Sequence, residues 1–375
     1  MAKRTIGKPM FMADIMQYLK IKGHYFGANV AGASSPTEND ANVWNLNPYQ
    51  MNEYEINHDT ADFNFRFFVD PDTGGHPITT QNEQLAQLLS HVNYAGVLGH
   101  NLGTLTDTFG NSGVGAIKVN FYGSSDGETS TVAYQESAEQ LVNYWTYNNN
   151  FGQPEYDWYS LWKIGSISNS DPVNFARIQF QIFSGGAGAE FGVDDEGNNR
   201  IAKIGALTLG RWFEPEHSFD LKGSITTSYD GIKTQKTIGG NTLSNINHLG
   251  VPNWGDLPAW TLQKQEGHDY KIGGADGRRS WKCGLSFIQD ENMFHKAGNE
   301  NKFFTYDEDT EAYTFDSSMA SFFKLTLNGN LPFLFCPDSS ADDLEFAICR
   351  IDKTPSFKQV ANNLFSTSLS ITEVF

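Results

Sequence analysis

At 375 residues the chain is long enough to bury about three quarters of its unfolded surface and to hold two domains. Aromatics reach 14%, with 28 Phe, against 19% charged residues, which excludes a disordered chain, and 36 Gly and 13 Pro cut the sequence into short apolar runs that favour an all-β protein. A formal net charge of -18 sets the body against stable binding of nucleic acid.

Residues 1 to 22 depart from that acidity. They hold five basic residues against Asp14 alone, which leaves 21 of the 26 basic and 43 of the 44 acidic residues to the remainder. Met1 to Tyr25 therefore has two readings. In one it is an assembly arm whose Lys3, Arg4 and Lys8 lie on an acidic neighbour; in the other, Met10 to Leu19 is a strand or short helix packed within its own domain. Asp14, Gln17 and Lys20 interrupt any leader-like hydrophobic region, so a secretory signal is not expected.

From His24 to Asn82 turn residues dominate, among them Ser34-Ser35-Pro36, Asn47-Pro48, Asp70-Pro71 and Gly74-Gly75. Phe63, Phe65 and Phe67 alternate with Asn64 and Arg66 as in a half-buried strand. Further strands are expected at Asn93 to Gly103, around Ile117, Val119 and Phe121, and at Tyr159 to Ile164, Phe175 to Phe183 and Ile201 to Leu209. Asp194-Asp195-Glu196-Gly197-Asn198-Asn199 clusters oxygen ligands without the spacing of a calcium loop, and reads as a solvated turn.

Glu214-Pro215-Glu216 marks a linker, dividing the chain into domains 1–215 and 216–375. Leu221 to Tyr229 reads as a polar strand, with Lys233 to Ile238 as its hairpin partner and Gly239-Gly240 closing it. Phe303 to Phe315 carries an acidic loop. Ser317 or Ser318 caps a helix with Met319, Phe322, Phe323 and Leu325 on one side, and Asn328-Gly329 stops it in the left-handed region. Leu331 to Cys336, Phe346 to Ile351 and Phe357 to Val360 read as short strands. The last segment alternates most clearly: Phe365, Thr367, Leu369 and Ile371 on one face, Ser366, Ser368, Ser370 and Thr372 on the other, so the terminus is expected to be packed.

Two resemblances arise from these runs. Asn93 to Gly103, an apolar strand entering Gly99-His100-Asn101, with Arg177 to Ile182 and Ile204 to Gly210 as a closing pair, resembles the galactose-binding-like jelly roll. Arg278-Arg279-Ser280-Trp281-Lys282-Cys283-Gly284-Leu285-Ser286-Phe287, Gly329-Asn330-Leu331-Pro332-Phe333-Leu334-Phe335, Phe346 to Arg350 and Leu369 to Val374 resemble the C-terminal domain of structural tail proteins of tailed bacteriophages, of the distal-tail or minor tail-tip type. The resemblance implies two β-sandwich or jelly-roll domains with few short helices. It implies a non-enzymatic virion protein, assembled in the host cytoplasm into the tail, in a ring of its own copies beside other tail proteins.

Site chemistry does not stand out. No GxSxG elbow precedes a helix, the histidines form neither HxH nor HExxH, and no phosphate loop follows the glycines at 185, 186 and 188, so neither an enzyme nor a cofactor or metal is expected. Cys283, Cys336 and Cys349 are too few and too dispersed for a disulfide framework, and read as small buried hydrophobes in a reducing cytosol. No run approaches the length of a membrane span. One binding alternative has content: Trp145, Trp158 and Trp162 as a stacking platform for a host surface glycan, which would make this a carbohydrate- or receptor-binding tail protein. Against it, Trp158, Trp162 and Ile164 would share one strand face, as core residues do.

Overall fold

The computed structural model describes residues 6–22, 28–34, 43–47, 52–68, 88, 91–102, 105, 114–122, 139–143, 158–163, 175–182, 190–228, 233–244, 278–294, 303–307, 312–315, 318–340 and 346–374, and the statements below concern these residues. Strands account for 49% of the chain and helices for 12%, which makes the protein all-β with a few short helices, consistent with a sandwich.

The first part of the chain runs β1 (Met10–Asp14), α1 (Ile15–Ile21), β2 (Ala28–Ala31), β3 (Ala33–Ser34), β4 (Asn52–Ile56), β5 (Asp62–Phe68), β6 (Tyr94–His100), β7 (Val114–Tyr122), β8 (Glu139–Asn143), β9 (Trp158–Lys163), β10 (Phe175–Ile182) and β11 (Ile201–Phe213). The second runs β12 (Ser224–Ser228), β13 (Thr234–Lys236), β14 (Thr242–Ser244), β15 (Arg278–Gln289), α2 (Asp290–Met293), β16 (Phe304–Asp307), β17 (Ala312–Phe315), α3 (Met319–Leu325), β18 (Phe333–Cys336), β19 (Ala347–Ile351), β20 (Phe357–Ala361) and β21 (Leu364–Glu373). Ten strands follow one another in the order β12-β15-β21-β19-β18-β1-β11-β6-β9-β8, with β20, β3 and β4 attached at its sides. A second sheet has the order β2-β5-β10-β7.

The first strand joins the two halves. Phe11 of β1 stands opposite Phe213 on one side and Phe335 on the other, both pairings antiparallel. The large sheet thus continues across the division expected at residue 215, and residues from both sides share one core. Of the two readings of the N-terminal segment, the packed element is what forms over residues 10–21.

Met-Phe-Met-Ala-Asp has no alternation because both of its faces are covered, as in any strand at the middle of a buried sheet. Phe11 faces the larger core, where its ring lies 5.0 Å from Phe322, 6.1 Å from Phe333 and 5.3 Å from Phe335. Met10 and Met12 face the opposite cluster with Leu98, Ala206, Leu334 and Ile348. Withdrawing the Phe11 ring alone from water is worth about 2–3 kcal/mol.

The smaller sheet packs on the larger core through Phe63 and Phe65 of β5. Phe65 meets Tyr54 of β4 edge-on at 4.8 Å, and Phe63 meets Phe191 at 5.6 Å. β10 and β11, expected to close one jelly roll together, belong to different sheets: β10 lies between β5 and β7, β11 between β1 and β6.

The C-terminal elements form where the spacing places them. Ser318 is the N-cap residue of α3, whose Phe322 and Phe323 are buried. Leu327, Asn328 and Gly329 all take positive φ and turn the chain back, and a side chain at Gly329 would run into Ile351. On β21, Thr367, Leu369, Ile371 and Glu373 are buried, and the Val374 amide donates to the Ile348 carbonyl at 2.9 Å.

One expected pairing does not form. β12 pairs with β15, Ile225 opposite Trp281, and not with Lys233 to Ile238. β13 pairs instead with β14, because Gly240, at φ 85°, lets the Thr237 and Asn241 backbones close a tight turn between them. The turn reading at Asp230-Gly231 and the acidic loop at 308–311 lie outside the described residues.

Candidate functional site

Two features that face solvent with apolar groups belong to different sheets, one to the large sheet and one to a separate two-stranded sheet. The first is the outer face of β4 and the start of β11. In β4 Asn52, Tyr54 and Ile56 are buried while Glu53 and Glu55 are exposed, an alternation that gives the strand one wet side. Ile201 stands opposite Glu55 and Lys203 opposite Glu53, so all four belong to that wet side. Lys203 Nζ pairs with Glu53 Oε1 at 2.8 Å.

A turn extends this face. Val193 bridges to Asn199, two residues before Ile201 along the strand, which brings Val193, Asn199 and Ile201 into one row. Asp194 closes the turn by accepting the backbone amides of Glu196 at 3.0 Å and Asn198 at 2.8 Å, and these bonds hold its carboxyl below the usual range. This is the solvated turn expected at residues 194–199. Asn199 donates to Glu55 Oε1 at 2.9 Å and meets His58 Nδ1 at 3.2 Å. Arg200 donates to the carbonyls of Phe191 and Val193, fixing the turn from beneath. The result is an ordered surface in which Val193, 42% exposed, and Ile201, 44% exposed, are rimmed by Glu55, Asp194, Asp195 and Glu196.

The second feature is the β13–β14 hairpin. Its residues are exposed almost throughout, and Ile238 at the turn is fully exposed. Residues 233–244 include Lys233 and Lys236 and no carboxylate. A two-stranded hairpin of this length is marginal by itself in water.

A buried polar group marks the junction of the halves. Asp14 ends β1 and caps α1, its Oδ1 accepting the Gln17 amide at 3.1 Å. Burial pushes its carboxyl up to about 7, against the pull of hydrogen bonds from Thr208, Gln17 and Met16. The Tyr94 hydroxyl lies 3.1 Å from Thr208 Oγ1 on the same side of the sheet. His100, at the end of β6, accepts the Leu102 amide at Nδ1 and so orders the following loop; burial lowers it to about 3, which keeps the ring neutral. Asn101 continues the order, donating to the Ile201 carbonyl and accepting the Lys203 amide.

The other predicted positions fall as follows. Lys8 reaches Glu214 of its own chain at 3.2 Å, while Lys3 and Arg4 lie outside the described residues. Trp145 lies outside them too. Trp158 and Trp162 are on β9, at the register positions of His100 and Ala95. Cys283, Cys336 and Cys349 are free and buried, and burial raises the thiols of Cys283, to about 12, and of Cys349, which makes both unreactive. Among the described residues no helix is long and apolar enough to cross a membrane, and no group of His, Cys, Asp and Glu is placed to hold a metal.

The outer face was open to sequence reasoning only in part: Asn52-Glu53-Tyr54-Glu55-Ile56 alternates visibly, whereas the exposure of Val193 and Ile201 depends on the turn between them. Comparisons with family models, curated proteins and solved structures return no match for this chain.

Proposed function

We propose that this chain is a non-enzymatic structural subunit of a tailed-bacteriophage virion, a component of a tail-tip or distal-tail ring, assembled in the host cytoplasm from copies of itself beside other tail proteins. The observation that carries the reading is the disposition of apolar surface. The central strands commit both faces to cores, while large apolar side chains are left in solvent at several places, among them Ile238 and Leu243 on the β13–β14 hairpin, Val193 and Ile201 at the turn into β11, and Leu221, Phe287 and Val360 elsewhere. Such a body suits a building block that meets neighbours through more than one patch. The runs at 278–287, 329–335, 346–350 and 369–374, which resemble tail-protein C-terminal domains, form β15, β18, β19 and β21, neighbours in that sheet. Its acidic body also suits a conduit through which DNA must slide without being held.

Native mass spectrometry and negative-stain microscopy of the purified full chain test the ring: a closed oligomer is expected, six-fold or three-fold. Antibodies against the chain should decorate the distal end of tailed particles. A monomer at every concentration counts against the ring, and turnover of a host envelope polysaccharide would overturn the non-enzymatic reading.

A further inference from the structure

The hairpin and the outer face complement each other chemically, and they belong to different sheets. β12, from which the hairpin leaves, is six strand spacings from β11 along the sheet, about 29 Å at ~4.8 Å per step. One side offers Ile238 fully exposed at a turn tip, a position where Gly, Asn or Asp is favoured. Lys236 stands beside it, without a carboxylate from 233 to 244. The other side offers Val193 and Ile201 within a rim of four carboxylates, ordered by Arg200 and Asn199.

We propose that the hairpin of one copy docks on the Val193–Ile201 face of a second copy, Ile238 seating on the two apolar side chains and Lys236 meeting the acidic rim. The occupant is a second copy because the basic, apolar tip matches an acidic, apolar patch that every copy carries on the large sheet, to which the hairpin does not belong. The two patches differ, so the contact is head-to-tail and repeats from copy to copy. This rests on the ring reading and supplies its interface. Association weakens as salt rises, since part of it is charge pairing at the rim.

Two variants and their mixture test the interface. Ile238→Asp spoils the hairpin; Val193→Asp with Ile201→Asp spoils the face. Ile238 is fully exposed and Val193 and Ile201 are about two-fifths exposed, so circular dichroism should match wild type, with melting lowered only for the face variant, whose new charges stand beside Glu55. Each variant alone is expected to be monomeric by native mass spectrometry, with association weakened roughly 30-fold or more, as for an interface hot spot. Mixed together, they should form a dimer of one copy of each and nothing larger, because only one intact pair of patches remains. Rings that persist in either variant, or a mixture that stays monomeric while wild type assembles, overturn this interface and leave the ring reading standing. A wild-type chain that is monomeric at every concentration overturns both, and leaves the hairpin to a different protein.

Discussion

The Tyr94 ring lies where a side chain on Gly210 would have to go. The two residues are directly opposite on β6 and β11, and Asp14 is opposite Gly210 on its other side. A methyl group at 210 would meet the Ala13 carbonyl oxygen as well as the Tyr94 ring and hydroxyl. Gly210→Ala is therefore expected to destabilise the protein by about 3 kcal/mol, the upper end of the overpacking range. Chemical denaturation measures it; an unchanged midpoint would mean that β1, β6 and β11 approach less closely than this.

Asp14 and His100 give stability opposite dependences on pH. The Asp14 carboxyl titrates near 7 when folded against 3.8 as a free group, so the folded state keeps a proton that the unfolded chain has lost, and stability falls as pH rises from about 4 to 7. His100 titrates near 3 when folded against 6.5, so stability falls as pH drops below 6.5. Between about pH 4 and 6.5 the two slopes offset each other. Asn caps a helix as well as Asp does, and Asp14→Asn should uncover the His100 slope in that interval and raise stability above pH 7 by a few kcal/mol, on the order of 4 at most. Melting temperature against pH for both proteins is the check, and parallel profiles would refute the assignment.

The aromatic cluster around Phe11 should behave as one unit across both halves. Trp281 meets Phe335 at 5.3 Å, and Phe322 meets Phe333 at 5.1 Å. Phe11→Ala, Trp281→Ala and Phe333→Ala are each expected to cost about 3–5 kcal/mol in the full chain. Unfolding should remain a single transition when followed by probes in either half, since β1 belongs to both. Two separated transitions would show that the halves unfold independently.

The β21 end is held by charge as well as by strand pairing. Arg279 grips Glu373 through Nη2 to Oε1 at 3.0 Å and Nε to Oε2 at 3.3 Å, while its backbone amide donates to Oε2 at 3.0 Å. Removing one member leaves the other charge buried, so Glu373→Gln or Arg279→Met should each cost about 3 kcal/mol. The double substitution should recover part of that loss. If the double variant shows the sum of both losses, as calorimetry would reveal, the pair is not coupled.

Double-stranded DNA should not be retained by the purified chain even at about 50 mM salt, where phosphate contacts are strong. Gel-shift titration tests this, and tight binding would contradict the conduit argument.

Local pattern made much of this fold legible. Ser366, Ser368, Ser370 and Thr372 face away from the core and announce β21; Asn328-Gly329 announces the end of α3 through its backbone requirement. β1 was harder to read, because five consecutive buried residues carry no period, and nothing local says that their partners are at residues 210–213 and 334–336. The partner of β12 was equally hidden: β15 begins fifty residues after β12 ends. In the candidate site, Glu53 and Glu55 are visible as an alternation, but Ile238 reads as a strand end until the turn at Gly240 is known.

The placement of β1 has a consequence at the ribosome. Phe11 is made before either partner: its first partner strand is reached 202 residues later at Phe213, and its second only after 324, at Phe335. At about 5–20 residues per second the second interval lasts roughly 16–65 s. Through that window a five-residue strand with four apolar residues has at least one bare edge, the kind of surface that recruits other nascent chains. Whatever escorts this polypeptide during translation must therefore shield residues 10–14 until the stretch from Phe333 to Cys336 has emerged.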